Sequence, residues 1–244
     1  MPGQWPLTGR VEELRLIGEL TRHRDGPAGV VLAGASGVGK TRLAREALAA
    51  AEQRGALVRW AVATASARIL PLGAFGAMLG TVGADQSRLV RQATDALLAG
   101  AARPGVVVGV DDAHLLDELS ALLVHDLALR RAARVVLTLR TGEAAPDAVT
   151  ALWKDGHLAR LELQPLSQEE TATLLQAVLG GPVDSAPAMD DHPGKRAVSA
   201  AAGRRRVGGG PAARGRGSVA VVRPAAAVTG IGRASRGTHG ATAR

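Results

Sequence analysis

Three short stretches contain the residues able to do chemistry. "GASGVGKT" (34–41) satisfies the spacing G-x-x-x-x-G-K-[ST], a pattern that grips phosphate when a strand precedes it and a helix follows. Gly34, Gly37 and Gly39 allow backbone angles that turn main-chain N–H groups inward as an anion nest. The helix beginning near Lys40 adds its positive end. Lys40 would reach the β/γ-phosphates as a point charge, and the Thr41 hydroxyl is placed to ligate Mg²⁺. The candidate phosphate contacts are therefore Gly34, Gly37, Val38, Gly39, Lys40 and Thr41. The second stretch, "VVVGVDD" (106–112), ends an apolar run in two carboxylates. Asp111 suits the metal side of such a site, and Asp112 could orient or deprotonate an attacking water. Asp112 could instead cap a helix starting near Leu115, since aspartate is a favoured N-cap. The third is Arg140, which ends "ARVVLTLR" (133–140) and would face the γ-phosphate edge of the same cleft as a sensor, or else be a solvated strand-end arginine. His114 and Asp117 complete "DDAHLLD"; the histidine reads more readily as a hydrogen-bonded structural residue than as a catalyst.

Such residues need a frame, and hydrophobic periodicity supplies one. Val11, Leu14, Ile17 and Leu20 recur at helical spacing, so a helix is expected over 11–23. Strands are expected at 29–34, 56–64, 105–112, 133–140 and 157–163, with helices at 40–53 and 86–99. Leu115, Leu119, Leu122, Leu123 and Leu127 should line one face of a further helix. After Pro165, Ser167 and Glu170 have the spacing of a capping box at the start of a last helix. Strands alternating with helices imply a parallel sheet covered on both faces. The expected fold is therefore α/β, a P-loop NTPase three-layer sandwich on a five-stranded parallel sheet.

Composition limits the function classes. The chain of 244 residues has no Cys, which excludes disulfides and thiolate metal sites. A charged-then-apolar leader pattern is missing, and no apolar run reaches the roughly 18 residues of a membrane span; a soluble, cytoplasmic protein is expected. The net charge of +8 is unevenly placed: residues 1–189 carry 19 basic and 20 acidic side chains, residues 190–244 carry 11 and 2. All 31 leucines also fall in the first 189 residues. A boundary is therefore expected near Pro187, giving a domain at 1–186 and an Ala/Gly/Arg-rich tail at 187–244. With no leucine and no aromatic residue after residue 189, the tail should not bury enough apolar surface to fold. The guanine-reading pattern N/T-K-x-D and the transporter pattern L-S-G-G-Q are both missing, and no arginine-rich kinase lid stands out.

With those classes set aside, the ordered strings "LTGRVEELRLI" (7–17), "GASGVGKTRLA" (34–44), "VVVGVDDAHLLD" (106–117), "VVLTLRTGE" (135–143) and "LELQPLSQEE" (161–170) closely resemble the N-terminal ATPase domain of the large LuxR-type transcriptional regulators of actinobacteria. These are signal-transducing AAA-like NTPases with numerous domains. The resemblance covers residues 7 to about 186. It implies an ATP switch with slow hydrolysis: the Leu7–Arg10 segment near the base, Lys40 and Thr41 on phosphate and Mg²⁺, Asp111 and Asp112 at metal and water, and Arg140 as sensor. A free-standing P-loop ATPase or kinase is the alternative.

The same resemblance implies a helical lid with a motif like G-N-x-L-Y-L, then helical repeats and a DNA-reading helix-turn-helix, where this chain has "DHPGKRAVSAAAGRRRV" and its continuation. Permitted codons for "HPGKRAVS", shifted by one nucleotide, spell TRGNVLYL. An out-of-frame reading starting between residues 180 and 192 is therefore expected, and with it no sequence-specific DNA binding. The tail could alternatively serve as a basic arm for weak, sequence-blind nucleic-acid contact, although no aromatic residues are interleaved for base stacking.

Overall fold

Runs of β-branched and aliphatic residues bounded by glycine build the centre of the molecule. A computed structural model describes residues 9–23, 25–79, 86–102, 105–179 and 221–222. Five parallel strands, β1 (Gly29–Gly34), β2 (Leu57–Val62), β3 (Val106–Asp111), β4 (Arg134–Arg140) and β5 (Ala159–Glu162), form one sheet. They lie in the order β2-β3-β4-β1-β5, so β4 separates β1 from β3. A two-residue strand, β6 (Val221–Val222), pairs antiparallel with β5; apart from it, the tail expected to lack a packed fold lies outside the described residues. Every residue of β1 and β3 is buried, as expected of a parallel sheet covered on both faces.

Alternation along the strands sends neighbouring side chains into two different cores. Val30, Leu32, Val107 and Val136 pack against Ile17 of α1 (Val11–Arg22) and Leu43, Ala44, Ala47 and Leu48 of α2 (Lys40–Gln53). Val31, Val108, Val110, Val135 and Leu137 face the other way, onto Ala93 and Leu97 of α4 (Gln86–Leu98), Leu123 and Leu127 of α5 (Glu118–Leu129), and Val149 and Leu152 of α6 (Asp147–Lys154). The result is the expected three-layer α/β sandwich. Burying each such leucine contributes about 2 kcal/mol. Gly109 leaves room on the α2 face of β3, because a Cβ there would come within 2.6 Å of Leu48 and the Trp60 ring.

The last described helix, α7 (Gln168–Leu179), opens on the capping box read from the sequence. The Ser167 N–H donates to Glu170 Oε2 at 2.7 Å, and the Glu170 N–H donates to Ser167 Oγ at 3.2 Å. Three local features differ from expectation. The short helices α3 (Gly76–Leu79) and α6 were not foreseen. Leu115 belongs to a 3₁₀ turn (Ala113–Leu115) ahead of α5, and Leu122 is exposed. The N-cap of α5 is Asp117, whose side chain accepts the Ser120 N–H; Asp112 stands at the N-cap position of the 3₁₀ turn only, and its side chain makes no capping hydrogen bond.

Candidate functional site

The parity of the strands decides which polar groups meet. Asp111 shares the α2 face of β3 with Val107, and Thr138 shares the α2 face of β4 with Val136. Thr41, in the first turn of α2, reaches across: its Oγ1 donates to Asp111 Oδ1 at 2.9 Å. The Thr138 hydroxyl donates to the same oxygen at 2.6 Å and accepts the Asp112 N–H at 2.8 Å. One buried hydroxyl therefore fixes both acids. Thr138 was missed in the sequence; the available signal was a lone polar residue inside the apolar strand "VVLTLR", two positions before Arg140 on the same face.

The glycine-rich turn has the backbone expected of an anion nest. Gly37 and Gly39 have φ of +80° and +93°, in the region that side chains with a Cβ rarely adopt. Gly39 is also the N-cap of α2. Gly34 is needed for a different reason: a Cβ there would lie 2.7 Å from the Leu163 carbonyl oxygen. Lys40 is buried, and its ammonium donates to the Gly34 and Ala35 carbonyls at 3.0 and 2.7 Å. Burial lowers its pKa below the ordinary lysine range, and the Asp112 carboxylate opposes that shift. The backbone of β4 registers Arg140 directly beside Gly34. The Arg140 guanidinium is half exposed and lies 3.5 Å from Asp112 Oδ1.

Asp112 adopts a left-handed conformation with φ of 50°, an outlier of the kind that clusters at functional sites. Its carboxylate sits between Arg140 and the ring of His114, whose Nδ1 lies 3.9 Å away, is buried and has no hydrogen-bond partner. Burial lowers the His114 pKa below its ordinary value, so the ring is held neutral. The hydrogen-bonded structural role expected of His114 is thus not visible at Nδ1. Asp117 lies apart: buried, it accepts from Ser120 N and Oγ and from the Leu72 N–H. Its role is structural.

Arg10 clamps the turn from outside. It is buried, pairs with Glu13 at 2.8 Å and donates to the carbonyls of Val38 and Gln164. It thereby joins α1, the phosphate turn and the connection between β5 and α7. Leu7 lies outside the described residues. The structure therefore gathers Arg10, Gly34, Gly37, Val38, Gly39, Lys40, Thr41, Asp111, Asp112 and Arg140 at the carboxyl ends of β1, β3 and β4. As a donor set for a triphosphate and a hard divalent cation the residues fit: inward-turning amides, one ammonium, one hydroxyl and one carboxylate. Among the described residues no cluster of three or more His, Cys, Asp or Glu could hold a metal ion.

The family profile for an AAA ATPase domain matches residues 6–139. The chain belongs to this family. The AAA ATPase domain is thus established over a span containing the glycine-rich turn, Asp111 and Asp112, and ending one residue before Arg140. No curated protein matches the chain. Among solved structures, it is similar to the ORC1 protein of Aeropyrum pernix in complex with DNA, at 19% identity and a TM-score of 0.52, over 72% of this chain and 50% of that one. It is also similar to AMPPCP-bound DnaA from Aquifex aeolicus, at 15% identity and a TM-score of 0.50, over 70% and 51% of the two chains. At such identities the likeness concerns the fold. The chain spans about half the length of either protein. No described helix of this AAA ATPase domain is long and apolar enough to cross a membrane.

Proposed function

We propose that residues 1–186 form an ATP-binding switch domain, the nucleotide-sensing module of a LuxR-type regulator, with slow or no hydrolysis. The observation that carries this reading is the 2.9 Å contact between Thr41 Oγ1 and Asp111 Oδ1, which closes the phosphate turn onto the acidic strand end. In this reading Gly34, Gly37, Val38, Gly39 and Lys40 hold the phosphates, Thr41 and Asp111 hold Mg²⁺, and Arg10 fixes the turn. Bound Mg²⁺ would neutralise phosphate charge and orient the chain of oxygens. Asp112 positions water and Arg140 reports the terminal phosphate. The pairing of Arg140 with Asp112 at 3.5 Å gives the arginine an alternative partner, so phosphate and carboxylate compete for one guanidinium. That competition is the switch.

In regulators of this type, DNA recognition belongs to parts beyond such a domain. We read residues 187–244 as a separate, out-of-frame segment; sequencing the gene tests this, since the next frame must continue into a leucine-rich helical lid. The central experiment is ATP binding with and without Mg²⁺, comparing the wild-type chain with Lys40→Ala. Loss of the ammonium that would contact the phosphates should weaken binding about 100-fold; equal affinity in both proteins removes the site. Steady-state turnover above about 1 s⁻¹ would favour a free-standing ATPase over a switch.

A further inference from the structure

The amino ends of the strands hold a second concave site with its own chemistry. Helices α1, α2 and α5 all terminate there, beside the starts of β3 and β4. Between them lies a cavity of about 490 Å³ whose lining includes Arg22, Arg54, Arg130, Arg131 and Arg134 and, among the described residues, no acidic side chain. Arg22 Nε and Arg134 Nη1 each donate to a main-chain carbonyl, Gly18 and Pro27, at 3.0 Å. Asp126 pairs with Arg130 at 2.6 Å. Arg54 has no side-chain partner among the described residues.

Helix ends account for part of this arrangement. A cation near a helix C-terminus is favoured by the helix dipole, which suits Arg22, Arg54 and Arg130. The same effect does not explain Arg134, which starts a strand. At Arg131, one residue beyond the cap of α5, it favours the charge but does not explain the backbone. The Arg131 N–H donates to Ala128 O and the Ala132 N–H to Leu127 O, the paired bonds of a Schellman ending. Arg131 therefore occupies the left-handed position of that motif, with φ of 54°, where glycine is the unstrained residue. An arginine retained against backbone preference, on the rim of an arginine-lined cavity, is an outlier that points to a ligand.

The geometry points to an anion site for a small organic polyphosphate. Guanidinium forks match phosphate oxygens bidentately, and about 490 Å³ falls within the range of small-molecule pockets. The site is distinct from the phosphate turn. Strand β3 runs from Val106, in the cavity lining, to Asp111, a separation of roughly 17 Å at strand rise. A ligand seated here would touch the opposite ends of the strands that carry Asp111 and Arg140.

Calorimetric titration of the full chain with inorganic tripolyphosphate, in the presence of saturating Mg-ATP, tests the assignment. One binding event is expected in wild type and also in Lys40→Ala, which keeps this test separate from that of the nucleotide site. Arg54→Ala and Arg131→Gly should each weaken it about tenfold, and Arg131→Gly should do so without lowering Tm. The assignment is overturned if the event disappears in Lys40→Ala. Binding that ignores both arginine substitutions would place the anion on the C-terminal arginines and overturn it too. Preference for a single-stranded oligonucleotide over tripolyphosphate, lost in the same two variants, would replace the small ligand with nucleic acid.

Discussion

At the carboxyl ends of the strands Lys40 rests on two carbonyls, Asp111 accepts from two hydroxyls and Arg140 leans on Asp112. At the amino ends five arginines surround a cavity lined, among the described residues, by no acid. The first end is mostly buried and internally answered. The second is cationic, largely exposed and held in part against backbone preference. The contrast shows two ways of preparing for an anion: one presents directional donors whose charges are already balanced, the other accumulates net charge around open space. A polar group in the first should matter greatly to folding, and a charge in the second should matter little or even count against it.

The largest effect is expected at Asp117, beyond the carboxyl end of β3. It satisfies Leu72 N–H, Ser120 N–H and the Ser120 hydroxyl from a buried position. Asp117→Ala strands two buried N–H groups and removes a cap, so denaturant unfolding should show a loss of about 3 kcal/mol. A loss below about 1 kcal/mol would break the claim that this end depends on answered polar groups. Next is Thr138→Val, which keeps the shape but leaves the Asp112 N–H without its acceptor and Asp111 with one hydroxyl donor fewer. We expect about 2 kcal/mol by the same measurement, together with weaker Mg²⁺-dependent nucleotide binding.

At the other end the sign reverses. Arg131→Gly relieves a left-handed non-glycine residue, and thermal unfolding should show a gain of about 1 kcal/mol; a loss would mean that the arginine stabilises the fold and would blur the contrast. The smallest effect concerns pH. Burial lowers the folded-state pKa of His114 below its ordinary 6.5, so below that value the unfolded chain binds more protons. Stability is therefore lost as pH falls from 6.5 towards the folded pKa, and is restored above it. His114→Gln should flatten this acid limb, seen as a shallower decline of Tm between neutral and mildly acidic pH.

Much of this frame can be read along the chain, because glycine and lysine punctuate it strongly. The bounds expected for β1 and α2, 29–34 and 40–53, coincide with those observed, and the Ser167–Glu170 box forms as its spacing implies. Periodicity carries no information on which strands pair, so the insertion of β4 between β1 and β3 was invisible. Thr138 stands out as a lone polar residue in an apolar strand, but its role depends on that insertion, which puts it beside Asp111. The region after β3 misled for a related reason. Leucines at 115 and 122 count equally in a helical pattern, yet one lies in a 3₁₀ turn and the other faces solvent; the cap at Asp117 moved the start of α5. Helix α6 has only eight residues and two fully buried side chains, Val149 and Leu152, too few to show a period. The arginines of the cavity come from four separate elements, so no local motif announces it.

The packing of Gly109 has a practical consequence. The chain has no tyrosine and three tryptophans. Trp60 fills the space over Gly109 in the strand that ends at Asp111, under the guanidinium of Arg45 at 5.2 Å. Trp153 lies under Arg160 at 5.3 Å, on the strand paired with β1. Emission from Trp60 and Trp153 thus arises from indoles lodged against β3 and β5, an optical gauge of movement in those strands that requires no added label.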